Sequence, residues 1–351
     1  MDIQRAYTTA VLLLDADQRL GIQPLFEQLA SAFSNLRGQP QNPHLQSQVV
    51  EVRDRLTNAL ADLDQKLTPA QNLQIRELLG DDSWLFSHGV SDQIQDEMQR
   101  NAMAPAVIAQ NVEGLRTKRA EVLQELTSLK RSFLKFHLAE ADLAPGDAEI
   151  SFLIPRALFD NRLDELAEEF DEINGIIGAF SEVVTGIRAG VEVRRISTSN
   201  PLLLVHVDPK TIVEIGKTIT WLIATITGIL KLRKLLQESE KELGTTELKE
   251  IFEKKIEERV DEAVKRRADE IQKLYPPNDE SRGRELHIEL EVAQKKLLFK
   301  IERGLNVEVR ATLPTAEGGK DTEVYAEIRE ISHQIAFPEI DGPPVLKLPP
   351  H

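Results

Sequence analysis

Residues 202–243 read LLLVHVDPKTIVEIGKTITWLIATITGILKLRKLLQESEKEL, and this stretch decides the fold. Leu202 to Val207 is a short run, apolar but for His206, and reads as a strand. Asp208-Pro209 then opens a helix, the aspartate capping and the proline sitting at the first helical position. Nothing breaks the pattern before Gly244, so the helix runs to Leu243, about 50 Å at 1.5 Å per residue. A strand feeding a helix of that length predicts a mixed, helix-dominated α+β class.

Moving toward the C-terminus, a second long helix is predicted from Thr246 to Leu274. Leu248, Phe252, Ile256, Val260, Val264, Ile271 and Leu274 form its apolar seam, and Tyr275-Pro276-Pro277 ends it. Few residues separate the two helices, so they are expected to form an antiparallel hairpin, 209–274, covering a small sheet. Glu285 to Val292 alternates like a strand, yet Leu286, Leu290, Ala293, Leu297 and Ile301 fit a helix closed by Gly304, and the helix is favoured. Leu305 to Leu313 alternates as a strand, and Glu323 to Ile335 reads as a short helix. From Phe337 five prolines in fifteen residues predict an extended tail, 338–351.

Toward the N-terminus, Glu149 to Ile154 and Val191, Val193 and Ile196 read as two further strands, with an amphipathic helix from Asp160 between them. That helix turns Leu163, Leu166, Phe170, Ile173, Ile177 and Phe180 inward. Its carboxylates, among them Asp164, Glu165, Glu168, Glu169 and Glu172, are expected to face water. Val112, Leu115, Arg119, Val122, Leu126, Leu129, Phe133 and Phe136 alternate spacings of three and four, a coiled-coil-like seam with one charge in it. Residues 1–90 read as short helices, with Gly21 as a left-handed terminator and Thr68-Pro69-Ala70-Gln71 as a capping box. The expected organisation is therefore a helical bundle over 1–90, a coiled-coil-like segment over 91–140, an α+β module over 141–337 and the proline-rich tail.

Charge narrows the function classes. The chain has 351 residues with 43 Lys+Arg against 58 Asp+Glu, a formal net charge of −15. That balance argues against general nucleic-acid binding, which needs a basic face. From Glu140 to Gly186 there are 12 acidic residues against Arg156 and Arg162, a local net of −10. This is a solvated helix face or a docking surface for a basic partner. With no cysteine there is no disulfide framework and no thiolate chemistry. No signal-peptide pattern is found, and a cytoplasmic setting is expected.

The motif search leaves few chemical candidates. Glu317-Gly318-Gly319-Lys320-Asp321-Thr322 lacks the upstream glycine and the hydroxyl of a phosphate-binding loop. His206 and Asp208 lie where a strand meets a helix N-terminus, so the pair is a candidate base with its orienting carboxylate. His287, Glu289 and Glu291 would share a face on a strand but spread apart on a helix. No cofactor and no metal is expected. Between Thr218 and Leu230 thirteen residues carry no charge. Trp221 and Ile226 lie in that span and Lys231, Arg233 and Lys234 follow it, a pattern that fits a buried central helix or an interfacial membrane segment. Gly216 and Gly228 would let that helix approach the strand layer.

The leading expectation is a non-catalytic adaptor or scaffold that meets protein partners, or itself, through helical seams and an acidic surface. The seam candidates are Leu115, Val122, Leu126, Leu129 and Phe133. Conditional membrane binding through helix 212–230 is the alternative, and an enzyme built on His206 and Asp208 is the third reading.

Overall fold

The computed structural model describes residues 3–101, 104–138, 143–188, 190–197, 201–243, 247–277, 279–314 and 321–338, with the side chains of 236–253 and 321 outside the described set. Residues 339–351 of the predicted tail, the side chains of seam residues Leu248 and Phe252, and residues 317–320 of the failed phosphate-loop motif therefore lie outside it. The chain divides into two units, Met1–Ala141 and Asp142–His351.

The first unit is all-helical: α1 (Ile3–Leu20), α2 (Ile22–Gly38), α3 (Pro43–Lys66), α4 (Pro69–Leu79), α5 (Gly89–Arg100) and α6 (Pro105–Lys135), with a 3-10 segment at Gly80–Phe86. Gly21 adopts φ 63°, a left-handed conformation that lets α2 begin directly after α1. The Thr68 hydroxyl accepts from the Gln71 amide while the Gln71 side chain accepts from the Thr68 amide, so the predicted capping box forms.

The seam of α6 is consumed inside this unit. Val122 and Leu126 are buried, Leu115 and Leu129 pack against the same core, and the Phe133 ring stacks on Tyr7 at 5.4 Å. Its partners are α1 and α2. Two expectations are corrected by this. The seam from Val112 to Phe133 is filled from within, with only Phe136 at its end left exposed, and 91–140 is one unit with 1–90 because α6 supplies part of the same core.

The second unit is a four-stranded antiparallel sheet with helices. Its strands are β1 (Ala148–Leu153), β2 (Glu192–Ser197), β3 (Leu202–His206) and β4 (Asn306–Ala311), in the order β2-β3-β1-β4. Its helices are α7 (Leu163–Thr185), α8 (Pro209–Leu243), α9 (Glu247–Leu274), α10 (Glu280–Glu302) and α11 (Asp321–Gln334). Each neighbouring pair is antiparallel, so β1 and β2 run parallel around β3, and β3 and β4 run parallel around β1. This is the split βαβ arrangement used twice, with α7 in the first crossover and α8 to α10 in the second.

Alternation sorts the two faces of the sheet. Ile150, Phe152, Leu203, Val205, Val307 and Val309 enter one core with α7, α8, α10 and α11. Asp208 caps α8, its carboxylate accepting from the amides of Lys210 (3.0 Å) and Thr211 (3.2 Å). The α8–α9 pair is joined by the ion pair between Arg267 and the fully buried Glu214 (2.7 Å), while α9 packs mainly on α10.

Two local expectations are corrected. Gly216 serves a helix contact, not a strand contact: a Cβ there would lie 2.7 Å from Cγ2 of Ile331 on α11, and at Gly228 it would meet nothing within 4 Å. Glu169 and Glu172 do not face water. Lys300 of α10, itself buried, sits 2.5 Å from Glu169 and 2.6 Å from Glu172, and Lys296 adds a bond of 2.9 Å to Glu172. The stripe they were assigned to is split, one half buried against α10 and the other exposed.

Candidate docking groove

His206 and Asp208 line one recess. Asp208 is occupied by its cap. Strand register sets His206 opposite Glu149 on one side and Glu192 on the other, with Arg310 next in the row, where it binds Glu149. Nδ1 of His206 is buried with no hydrogen-bond partner among the described residues. A recess of about 220 Å³ lies beside His206 and Asp208. His287 lies 3.2 Å from Asp269 on α9 and 3.7 Å from Glu291 one turn along α10, while Glu289 bonds Arg188 (2.6 Å), so the helical register sets Glu289 apart but keeps His287 and Glu291 on one face. Among the described residues no group of three His, Asp or Glu is placed to hold a metal ion.

The membrane candidates are distributed over a core helix. Pro209–Leu235 is long and apolar enough to cross a bilayer, and most of it is buried in the fold. Ile226 is buried, and Trp221 is half-buried against the same core. Lys231 and Lys234 are exposed on the end of α8 that leaves the core, with Arg233 half-buried between them.

Among the described residues three recesses compete for a functional role. The one that holds Glu182 and Arg282, about 370 Å³, is closed electrostatically. Arg282 makes two bonds of 2.7 Å to Glu182, which hold the Glu182 carboxyl below its ordinary range, and one to Glu285. Its charges satisfy one another. The second is the recess at His206.

The third is a groove of about 350 Å³ between α7 and the β2 edge, and it is built differently. Phe170, Ile173 and Ile177 form the helix wall, and Val193, Ile196, Leu203 and Val205 form the sheet wall. The sheet wall depends on a β-bulge. Val193 pairs with Val205 and Ile196 with Leu203, so residues three apart on β2 face residues two apart on β3. The extra residue brings both Val193 and Ile196 to the groove side, which strict alternation forbids. Val193 is 50 % exposed and Ile196 is 48 % exposed. Two apolar side chains of β2 are thus left half-exposed beside the buried core residues Ile173, Ile177 and Val205.

Charge borders the opening on one side. Asp171 lies in the groove wall, and Asp164 and Glu168 share its face of α7 at helical spacing. Asp164 is held by Arg162 at 2.5 Å, but Glu168 and Asp171 have no ion-pair partner among the described residues. On the other side β2 ends the sheet, and among the described residues no strand pairs its outer edge.

The sequence pattern carries the strand and the apolar helix face, but not their juxtaposition. Ala167, Asp171 and Asn174, which line the groove, carry no local signal, and the bulge is visible only as the three-residue spacing of Val193 and Ile196. No family model, curated protein or solved structure matches this chain.

Proposed function

We propose that this chain is a non-catalytic protein-interaction protein, an adaptor or scaffold acting in a cytoplasmic setting, whose docking site is the α7–β2 groove. The observation that supports this reading is the groove itself: half-exposed Val193 and Ile196 lie against core residues beside the carboxylate of Asp171, which has no ion-pair partner among the described residues. Contiguous exposed apolar surface with a polar rim is the ordinary mark of an interaction site. The acidic surface anticipated from composition supplies that rim, and the helical seams lend less support because most of their described residues are buried in the core of their own unit. The membrane reading finds less support, since the apolar candidates Ile226 and Trp221 pack in or against the core.

The test is site-specific photo-crosslinking in the native host. A photoreactive residue at Asn174, in the groove wall, is expected to give discrete protein adducts that the same residue at exposed Glu125 on α6 does not. Equal adduct patterns at both positions, or none at Asn174, would overturn the assignment.

A further inference from the structure

We propose that the occupant of this groove is an extended segment of another protein, aliphatic and basic in alternation, which joins the sheet as a fifth strand beside β2. The inference rests on the docking reading above and adds the partner's conformation and chemistry. Three observations carry it.

The first is the open edge. A strand that ends a sheet presents a row of unpaired N–H and C=O groups, and an extended peptide satisfies them at no cost in side-chain fit. The remaining edge strand, β4, is different, because α11 packs against it.

The second is the shape of the groove. It runs beside the strand and between strand and helix, so every second side chain of an added strand points into it. Phe170, Val193 and Ile196 are what those side chains would meet, which calls for aliphatic residues. A helix laid in the groove would leave the β2 edge unsatisfied.

The third is charge. Asp171 lines the groove and Glu168 lies one turn away on α7, and neither has an ion-pair partner among the described residues. The arginines of β2 do not reverse this. Arg194 is taken up by Asp147 at 2.6 Å, and Arg195 is aligned with Leu204, on the face opposite the groove. A second copy of this acidic chain would bring like charge to the rim, so the complementary segment is basic.

A fluorescein-labelled alternating lysine–valine octapeptide is the probe, read by fluorescence polarisation on the full chain. Saturable binding is expected. N-methylation of alternate peptide nitrogens on the pairing edge should abolish it, a change in the ligand that cannot unfold the protein. A glutamate–valine peptide should not bind. The double variant Glu168→Gln/Asp171→Asn should weaken binding by roughly threefold to tenfold, and less in high salt. Val193→Arg should remove it with the thermal midpoint of the chain retained.

Equal binding of the N-methylated or the glutamate peptide would overturn the proposal, as would failure of the lysine–valine probe to bind. A dimer in light scattering that Val193→Arg dissociates would overturn it in favour of a second copy. In each of these cases Asn174 crosslinks that persist would leave the docking site standing and discard only the added strand.

Discussion

Arg119 Nη1 lies 2.7 Å from the Asp17 carboxylate, and its guanidinium is held between the rings of Phe26 and Phe86 at 5.5 and 4.7 Å from their centroids. Arg119 is fully buried, and Nε donates to the Leu85 carbonyl while Nη1 also reaches Gln23. Burial pushes its pKa down, and Asp17 pulls it back toward the charged form. The single charged residue of the α6 seam is therefore its polar anchor. It ties α6 to the α1–α2 corner and to the 3-10 segment at once.

Removing Asp17 leaves that cation buried and unpaired. Asp17→Ala is expected to destabilise the first unit by roughly 3–5 kcal/mol. Arg119→Met, which replaces the cation with an apolar chain between two rings, should cost less, since Asp17 keeps some access to solvent. Urea denaturation followed by far-UV circular dichroism ranks the two variants, and the opposite ranking would contradict this account of the anchor.

The pair Glu214–Arg267 makes the same argument in the second unit, with a sharper test. Glu214 is fully buried, and burial raises its pKa despite the arginine. Arg267→Met should therefore cost roughly 3–5 kcal/mol, and replacing both residues with methionine should return most of that loss. Non-additivity in a double-mutant cycle is the readout, and additive losses would contradict it.

Gly216 and Gly228 look alike in the sequence of α8 but should respond in opposite ways. Gly216→Ala forces Ile331 and α11 to shift, at a cost of about 1–3 kcal/mol. Gly228→Ala meets open space and gains helix propensity, so it should stabilise by about 0.5–1 kcal/mol. Thermal midpoints of the two variants check the sign at each position.

Acid sensitivity should pass in part through Glu182. Its bonds to Arg282 lower its pKa in the folded state, so the stability it contributes is present above the unfolded-state pKa and is lost as pH falls through the folded one. Glu182→Gln should flatten the acid limb of the stability–pH curve below about pH 4.5 and leave its alkaline limb unchanged. An unchanged acid limb would contradict the assignment.

Local chemistry was legible in the sequence wherever it was enough to determine structure. The capping box at Thr68, the left-handed Gly21, the Asp208-Pro209 helix start and the spacing of Leu115, Val122, Leu126, Leu129 and Phe133 all act over one or two turns. The functional geometry was not legible because it arises between segments distant in sequence. Glu169 and Glu172 were expected in water because nothing near them announces Lys300, more than a hundred residues away, as their counterion. Val193 and Ile196 lie on one face only because β2 pairs with β3 through a bulge, and β2 is an edge only because of where β1 and β4 insert. His206 drew notice for its position before a helix, a position the strand register fills with Glu149 and Glu192 as cross-strand neighbours.

Amide hydrogen exchange across β2 tests the central claim most directly. An open edge predicts that the free chain exchanges part of the β2 amides, residues 192–197, far faster than those of β3, residues 202–206, and that the lysine–valine octapeptide slows them. Protection of β2 equal to that of β3 in the free chain, or exchange unmoved by the peptide, would contradict an edge that awaits a fifth strand.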